Sequence, residues 1–211
     1  MSPGATARGR FISLEGGEGV GKSTQVGALA DALREHGLDV LVTREPGGSE
    51  GAERIRELLL GGTNAWSASA EALLFAAARA DHVEKLIAPA LASGRWVLCD
   101  RFVDSSLAYQ GGAGELGLDA VREINRFAIG DVVPDRSLVL LSEEGAHRAS
   151  VRDEGLSDPI GGRSDDYHRK VEHAFRSLAA EEPGRVRLVD ASESREQVTN
   201  RLLEAIRDLL P

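Results

Sequence analysis

The apolar and polar positions of this chain change period several times, and each change predicts the boundary of an element. Residues 10–14 alternate and contain β-forming side chains, which predicts a strand. From Ser23 onward, apolar residues recur at the three- and four-residue spacing of a helix, and this pattern stops at Gly37. The same patterns predict further strands near residues 40–42, 96–99, 138–141 and 186–189, and helices near residues 50–60, 67–92, 104–129, 165–180 and 194–210.

The order of these elements predicts the fold class. Strands and helices alternate, which favours parallel strands joined by helical crossovers. Several of the predicted strands are continuous apolar runs, as is typical of a sheet covered on both faces. The sequence therefore predicts an α/β fold of three layers, with a roughly five-stranded parallel sheet flanked by helices. Ligands of such folds bind at the carboxyl ends of the strands, so residues 15–24, 44–48, 100–101 and 142–164 are expected to share one rim.

The predicted domain organisation is simple. Residues 1–9 are expected to form a flexible N-terminal tail, and residues 10–211 a single domain. Residues 142–164 are polar and contain four glycines and five acidic residues, which indicates a mobile loop that could act as a lid over the rim.

Composition disfavours several classes of protein. A single cysteine, Cys99, rules out an internal disulfide framework and a cysteine-based zinc site. The chain has no apolar run of the ~20 residues that a membrane span needs and no apolar signal segment near its start, so we expect a cytoplasmic protein without membrane association. The 25 Lys and Arg against 34 Asp and Glu give a net charge of −9. This balance disfavours non-specific nucleic-acid binding, and it requires that any bound phosphate be held by a local group of cations.

One segment carries a specific signal for phosphate binding. From Gly16 to Ser23 the chain fits the pattern G-x-x-x-x-G-K-[ST], between the first predicted strand and the first predicted helix. Glycines let successive backbone N–H groups face phosphate oxygens, and the following helix adds the positive end of its dipole. Lys22 is expected to reach the β- and γ-phosphates of a nucleoside triphosphate, and Ser23 to offer its hydroxyl to Mg²⁺. The sequence has no Asn-Lys-x-Asp segment, which argues against a GTPase. The predicted ATP-binding residues of this segment are Gly16, Gly17, Glu18, Gly19, Val20, Gly21, Lys22, Ser23 and Thr24.

Two other predicted strands end in segments suited to anions. Asp100 and Arg101 directly follow the third strand. An aspartate beside the phosphate loop is expected to hold Mg²⁺ through water, and an arginine can contact a phosphate with two parallel N–H groups. Residues 43–48 follow the second strand, and Pro46 with two glycines predicts a rigid turn with exposed N–H groups.

These segments together resemble bacterial thymidylate kinases, which are P-loop nucleoside monophosphate kinases. The resemblance is carried by residues 11–24, 43–48, 73–79 and 100–111, in the family's order and spacing. It implies a P-loop NTPase fold, ATP and dTMP as substrates, Mg²⁺ as cofactor, and transfer of the γ-phosphoryl group of ATP to dTMP to give dTDP. It also implies a homodimer, formed through the helices near residues 50–92.

The resemblance further implies how dTMP is recognised. Phe75 would stack on thymine, and Arg79 would donate to its O4, since arginine has only donors and thymine presents an acceptor where cytosine presents a donor. Glu18 would accept a hydrogen bond from the 3′-hydroxyl of the sugar, and Tyr109 would crowd its 2′ carbon. The other implied residues are Arg44 and Arg101 for the acceptor phosphate, Ser106 and Gln110 for N3 and O2 of thymine, and Pro46 in the turn after the second strand.

Catalysis of phosphoryl transfer depends mainly on placing the attacking and leaving oxygens in line, and on neutralising the negative charge of the transferred group. One branch of the family carries an arginine at the position of Gly19, and its absence here implies that lid arginines supply the charge. Arg152 is predicted to stabilise the transferring group and Arg148 to pack on adenine, with Arg163 as a third candidate. The predicted catalytic residues are Lys22, Asp100, Arg101 and Arg152, and the predicted Mg²⁺ ligands are Ser23 and Asp100.

Two alternatives stay open. The lid departs from the family pattern, with Asp158 and Pro159 where Asp-Arg is common, so a P-loop kinase for another pyrimidine nucleotide, such as dUMP or a modified dNMP, is one alternative. A catalytically decayed nucleotide-binding protein is the other, and the presence of Lys22, Asp100 and Arg101 argues against it.

Overall fold

The computed structural model describes residues 8–61, 66–114, 116–142 and 163–211. In this part of the chain, one parallel sheet has the strand order β2-β3-β1-β4-β5. The α/β fold with a five-stranded parallel sheet is therefore confirmed. The strands are β1 (Phe11–Gly16), β2 (Val40–Arg44), β3 (Trp96–Asp100), β4 (Arg136–Leu141) and β5 (Val186–Asp190).

Helices connect these strands and cover the sheet. Serine side chains cap the N-termini of four of them, at Ser49, Ser67, Ser164 and Ser194. The described helices are α1 (Lys22–Glu35), α2 (Glu50–Leu60), α3 (Ala68–His82), α4 (Ala88–Ala92), α5 (Val103–Ser106), α6 (Leu118–Ile129), α7 (Asp165–Glu181) and α8 (Arg195–Ala205). Two π-helical turns, Val83–Ile87 and Leu107–Ala113, continue α3 and α5, and a 3₁₀ turn, Arg207–Leu209, follows α8.

Alternate residues of the central strand build two cores, one on each face of the sheet. β1 is buried along its whole length. Ile12 and Leu14 lie in the core that includes the apolar sides of α1 and α8. Phe11 faces the other side, where its ring centroid lies 4.8 Å from that of Phe102 and where α7 contributes Phe175. The sheet is therefore the middle of three layers, as the continuous apolar strands predict.

The structure divides the segment at 104–129 that the sequence presents as largely helical. The chain leaves helical geometry at Gly114, and α6 begins after Gly117, which has a φ of 78°. Gly112 lets the π-helical turn lie close to α7, because a Cβ at this position would be 2.5 Å from the Cβ of Ala174. Helical periodicity continues through this segment, but its glycines serve close packing and a change of direction.

The two predicted mobile segments are described only in part. Residues 1–7 lie outside the described residues, whereas Arg8 bonds to Asp135 and the N–H of Gly9 donates to the carbonyl of Leu91 at 2.9 Å. Most of the predicted lid, at residues 143–162, also lies outside them. Among the residues described, no helix is long and apolar enough to cross a membrane.

A buried ion pair joins α5 to the start of β5. Asp104 is fully buried and accepts from Nη1 and Nη2 of Arg185 at 2.7 and 2.9 Å. The hydroxyl of Ser137 donates to the same carboxylate at 2.6 Å. Because Asp104 is removed from water, its charge depends on these partners.

We therefore expect Arg185→Ala to lower the free energy of unfolding by about 3–5 kcal/mol, because the substitution leaves Asp104 buried without its counter-charge. Equilibrium unfolding in urea measures this loss. Arg176 is the matched control, since it pairs with Glu172 on the exposed surface, and Arg176→Ala should cost at most about 1 kcal/mol. Equal losses in the two variants would contradict the role given to the buried pair.

Candidate active site

A cleft of about 550 Å³ opens at the carboxyl ends of β1, β2 and β3. Parallel pairing brings these ends together, with both Leu14 and Arg44 level with Asp100. The rim that the sequence predicts is thus formed by the segments that follow these three strands. The predicted site residues that line the cleft are Glu18, Gly19, Gly21, Lys22, Ser23, Thr24, Arg44, Pro46, Phe75, Arg79, Asp100, Arg101, Ser106, Tyr109 and Gln110.

The glycine-rich loop between β1 and α1 forms one wall of the cleft. Gly19 and Gly21 have φ values of 69° and 91°, which residues with a side chain rarely adopt. A Cβ on Gly16 would lie 2.4 Å from the carbonyl oxygen of Leu140. The first turn of α1 lines the cleft, and the N–H groups of a first turn have no partners within the helix, so this wall suits an anion. Gly16, Gly17 and Val20 belong to the same loop but do not line the cleft.

Lys22 is a buried cation at the base of this loop. Its Nζ donates to the carbonyls of Gly16 at 3.2 Å and Gly17 at 2.5 Å. Burial, and to a lesser extent the positive charge of Arg101, lower the pKa of Lys22 to about 7. A bound phosphate would oppose both effects, so the ammonium form of Lys22 and an anion in the cleft favour each other.

Ser23 and Asp100 meet at the end of β3. The hydroxyl of Ser23 donates to Oδ2 of Asp100 at 2.7 Å, although the two residues are far apart in the sequence. A hydroxyl and a carboxylate are oxygen donors of the type that Mg²⁺ prefers. The described residues contain no group of three or more His, Cys, Asp or Glu that could hold a metal alone. The pair therefore fits Mg²⁺ that takes its remaining ligands from water and nucleotide phosphates.

Arg101 connects the glycine loop to the turn that follows β3. It has a φ of 69°, a left-handed value that is uncommon for a residue with a side chain. Its Nη1 donates to the carbonyl of Gly16 at 3.0 Å and to the hydroxyl of Ser105 at 3.2 Å, and its Nη2 donates to Glu18 at 3.1 Å. The guanidinium carbon also lies 5.0 Å from the centre of the Tyr109 ring. These contacts fix one cation between the glycine-rich loop and the turn that follows β3.

Glu15 supports the turn that carries Arg101. This buried carboxylate accepts from the N–H of Phe102 at 3.0 Å and from the hydroxyl of Ser105 at 2.6 Å. Burial and the nearby charge of Asp104 raise the pKa of Glu15 to about 7. The last residue but one of β1 thus holds the backbone beyond the end of β3.

Arg79 is a buried arginine at the other end of the cleft. Its Nε donates to Glu45 at 2.7 Å, its Nη1 to Ser106 at 3.0 Å and to Asn125, and its Nη2 to the carbonyl of Phe102 at 3.1 Å. Four of the five guanidinium N–H groups are therefore used within the protein, and one remains on Nη2. Only 2% of the residue is exposed, but it lines the cleft, so the guanidinium is held rigidly beside the space that a ligand would occupy.

Three more predicted residues, Phe75, Tyr109 and Gln110, line the cleft. Phe75 precedes Arg79 by one helical turn, so both side chains can address one ligand. The hydroxyl of Tyr109 is buried with no hydrogen-bond partner among the described residues, and burial raises its pKa, which keeps the hydroxyl protonated at neutral pH. Gln110 donates to Glu71 at 2.9 Å.

The turn after β2 places Arg44 at the mouth of the cleft. Arg44 is half exposed, and its Nη2 lies 3.1 Å from both carboxylate oxygens of Glu53. The N–H of Gly48 donates to the same carboxylate at 2.9 Å. Arg56 donates to the carbonyl of Pro46 at 2.7 Å and also lines the cleft. Two arginines therefore border this turn.

The lid arginines are only partly placed. Arg148 and Arg152 lie outside the described residues. Arg163 lies at a neighbouring cavity of about 310 Å³, where it donates to Glu71 at 2.6 Å and to the hydroxyl of Tyr167 at 2.5 Å. Its contacts are thus with α3, through Glu71, and with α7, through Tyr167.

Sequence reasoning missed several residues of this region, above all Glu15, Glu45 and His82. The sequence does contain a signal for Glu15 and Glu45, because side chains two positions apart on a strand lie on the same face. Glu15 follows Ser13, and Glu45 follows Thr43, so each acid extends a row of buried polar side chains into the rim. No comparable signal marks His82, which stands at the end of α3.

Comparisons with known proteins agree with this geometry. The family described as "Thymidylate kinase" matches residues 14–202 of the chain. A thymidylate kinase of Rhizorhabdus wittichii is 55% identical over 206 residues, covering 96% of this chain and 99% of the relative. A thymidylate kinase of Rhodopseudomonas palustris is 52% identical over 206 residues, covering 95% of this chain and 89% of the relative.

A solved structure extends the likeness to three dimensions. The crystal structure of thymidylate kinase from Ehrlichia chaffeensis superposes with a TM-score of 0.79 at 27% sequence identity, covering 94% of this chain and 99% of that chain. The match to the family spans most of the chain, and the phosphate loop, the Asp100-Arg101 segment and the buried Arg79 lie in one cleft. On sequence and structure together, the chain belongs to the thymidylate kinase family.

Proposed function

We propose that this chain transfers the γ-phosphoryl group of ATP to dTMP and releases dTDP and ADP. The observation that carries the proposal is a single cleft of about 550 Å³ that joins the phosphate loop at Lys22 to the buried Arg79. A cleft of this kind can hold a triphosphate tail at one end and a nucleoside monophosphate at the other. In-line transfer needs the two phosphates to meet between them.

The donor end is assigned to the glycine loop. Backbone N–H groups of the loop and the ammonium of Lys22 would hold the β- and γ-phosphates. Ser23 and Asp100 would hold Mg²⁺, which neutralises charge on the triphosphate when it is bound. Arg101, fixed between Gly16 and Glu18, would then balance charge on the transferring group.

The acceptor end is assigned to the residues around Arg79. Its remaining N–H would donate to O4 of thymine, while Phe75 stacks on the ring. Cytosine carries a donor at this position, which would oppose a donor of Arg79, so the pocket would reject cytosine strongly. Glu18 accepts from Arg101 through Oε1, and we assign its other oxygen to the 3′-hydroxyl of the sugar. The remaining assignments are Arg44 and Arg101 for the acceptor phosphate, Tyr109 for the 2′ carbon of the sugar, Ser106 and Gln110 for the base, and Pro46 for the turn beside them.

Three further features belong to the proposal. Arg152 is assigned to the transferring group and Arg148 to adenine, both from the lid at residues 142–164. Arg163 is the weaker candidate, because its guanidinium is held by Glu71 and stacks 4.6 Å from the centre of the Tyr167 ring. A cytoplasmic location is proposed because ATP and Mg²⁺ are abundant there.

The central prediction is that the purified protein releases ADP from ATP and Mg²⁺ when dTMP is added, in a coupled spectrophotometric assay. dCMP should be a much poorer acceptor. Arg79→Ala should lower kcat/KM for dTMP by roughly 100-fold or more, because it removes the donor that pairs with O4, while KM for ATP changes little. The assay is run as a panel of dTMP, dUMP and dCMP at saturating ATP.

Arg169→Ala is the matched control, since Arg169 is exposed on α7 and pairs with Asp166. Unchanged selection of dTMP over dCMP in Arg79→Ala would show that another group reads the base. Faster turnover of dUMP than of dTMP would favour a kinase for another pyrimidine nucleotide. Nucleotide binding without ADP release for any acceptor would indicate a decayed active site.

The lowered pKa of Lys22 gives a prediction about protons. Because burial lowers the pKa of Lys22 to about 7 in the free protein, a large part of Lys22 is neutral at pH 8, and a triphosphate that favours its charged form should cause proton uptake on binding. The uptake should fall as the pH drops below 7, and nucleotide affinity should weaken as the pH rises through about 7. Calorimetric titration in buffers of different ionisation enthalpy measures the protons exchanged. Lys22→Arg, which keeps its charge at all these pH values, should abolish the uptake, and an equal uptake in that variant would assign the proton elsewhere.

We also propose that the chain forms a homodimer through α2, α3 and α6. These helices pack side by side, and their outer surfaces expose Leu58, Leu73 and Phe127, of which Phe127 is 94% exposed. An apolar surface spread over neighbouring helices is typical of a surface that another protein covers. A second copy is the occupant that the family resemblance favours.

The dimer is tested by light scattering after size-exclusion chromatography. The unsubstituted protein should have twice the mass of one chain, whereas Leu73→Glu and Phe127→Glu should be monomeric, because a buried unpaired carboxylate opposes association. Leu188→Glu is the control, since Leu188 is also exposed but lies on β5 at the edge of the sheet. A monomeric unsubstituted protein, or dimers in both helix variants, would contradict this surface.

A further inference from the structure

A chain of buried hydrogen bonds runs behind Arg79 and ends at β2. Oε2 of Glu45 accepts from Nε of Arg79 at 2.7 Å, and Oε1 of the same carboxylate lies 3.0 Å from Nδ1 of His82. Nε2 of His82 in turn lies 2.7 Å from the hydroxyl of Thr43. Both oxygens of Glu45 and both ring nitrogens of His82 therefore have partners.

The members of this chain are buried, although Arg79 and Glu45 also border the cleft. His82 is 0% exposed, Arg79 is 2% exposed and Glu45 is 5% exposed. When a buried charged group loses a hydrogen-bond partner, water cannot replace the lost bond. The geometry of each member is thus set by the next one in the chain.

The chemistry of the carboxylate fixes the direction of one of these bonds. An ionised carboxylate only accepts, so Nδ1 of His82 carries the hydrogen that Glu45 receives. Nε2 of His82 and the hydroxyl of Thr43 share the second hydrogen bond of the ring. Partners at both ring nitrogens hold His82 in one orientation, and His82 in turn holds the carboxylate whose Oε2 accepts from Arg79.

The turn after β2 is built against the same chain. A Cβ on Gly48 would lie 2.4 Å from Nε2 of His82 and 2.5 Å from Oγ1 of Thr43. Gly48 also has a φ of 88°, so a residue with a side chain is disfavoured there for two reasons. Close packing at Gly48 leaves the imidazole little room to rotate.

We propose that His82 is a positioning residue for base selection. It acts through Glu45 to hold the guanidinium of Arg79 so that the remaining N–H on Nη2 is aimed at O4 of a pyrimidine. His82 touches neither nucleotide, and its effect is confined to the base end of the cleft. This inference rests on the proposed function, in which Arg79 reads the base of the acceptor.

A role in base selection and a role in packing alone differ in what they predict. A packing role would lower thermal stability and change the kinetic constants of both substrates together. A positioning role would change the constants of acceptors that carry O4, namely dTMP and dUMP, by the same factor, and would change ATP and dCMP little. The ratio of dTMP to dCMP activity is therefore the informative quantity.

The experiment compares two substitutions that each keep one half of the imidazole. Asparagine places its amide near the position of Nδ1 and can still donate to Glu45, whereas glutamine places its amide near Nε2. We expect His82→Gln to raise KM for dTMP and dUMP roughly 10- to 100-fold, with kcat and KM for ATP within about twofold. His82→Asn should return KM for dTMP to within roughly threefold of the unsubstituted value, because the donor to Glu45 is restored. Thr43→Val, which removes the hydroxyl on the far side of the ring, should raise the same constant by a smaller factor, and it carries the test if His82→Gln does not fold.

Each result decides the question. Selective loss for dTMP and dUMP in His82→Gln with recovery in His82→Asn supports the inference. Unchanged discrimination between dTMP and dCMP in both His82 variants and Thr43→Val overturns it, as does an equal loss for ATP and dTMP in both His82 variants. If the unsubstituted protein does not phosphorylate dTMP, the proposed function fails and the inference fails with it, whereas an active unsubstituted protein with unaffected variants refutes the inference alone.

Discussion

A single backbone carbonyl, that of Gly16, receives hydrogen bonds from both Lys22, at 3.2 Å, and Arg101, at 3.0 Å. Lys22 belongs to the phosphate loop, and Arg101 belongs to the turn after β3. The shared acceptor exists because β1 and β3 pair in parallel and end at the same level, with Leu14 beside Asp100. Two cations that repel each other are thus held close together by the sheet. The rest of the cleft is arranged around this pair, because two phosphates that exchange a phosphoryl group need such a concentration of positive charge.

The titratable groups that support the cleft are concentrated on one side of the sheet. Glu15, Glu45, Arg79 and Asp104 are all buried, and burial of a lone charge is costly. Each has a charged or polar partner from another element: Glu15 bonds the turn after β3, Glu45 bonds Arg79, and Asp104 bonds Arg185. Apolar clusters cover both faces of the sheet, so packing supplies stability that these pairs need not supply. The charged groups are thus embedded beside the apolar cluster that contains Phe11, Phe102 and Phe175.

A feature of this fold or site can be predicted from the sequence when the residues that form it are close together along the chain. The strand, loop and helix from residue 10 to Gly37 follow from local pattern, and the structure confirms a five-stranded parallel sheet. Parallel strands also place Asp100 and Ser23 at the same edge of the sheet, whereas the adjacency of β1 and β3 is known only from the structure. The partners of Arg79 are different, because Glu45 and Asn125 are 34 and 46 residues away and nothing in the periodicity pairs them. His82 reads locally as the last residue of a helix, and its contact with Glu45 arises only when α3 packs beside the end of β2.

The net negative charge of the chain limits how the protein can attract nucleotides. With a net charge of −9, the protein as a whole repels nucleotides, so attraction has to come from cations that are close to the phosphates and shielded from water. Burial strengthens each charge–charge interaction but also disfavours an unpaired cation, which is why the pKa of Lys22 falls to about 7 while that of Arg101, beside Tyr109 and Glu18, stays above its usual value. The two cations therefore contribute differently: Arg101 is a permanent charge, and Lys22 is a charge that an anion stabilises. A cleft built in this way favours phosphates over uncharged ligands, because only an anion restores the full positive charge of Lys22.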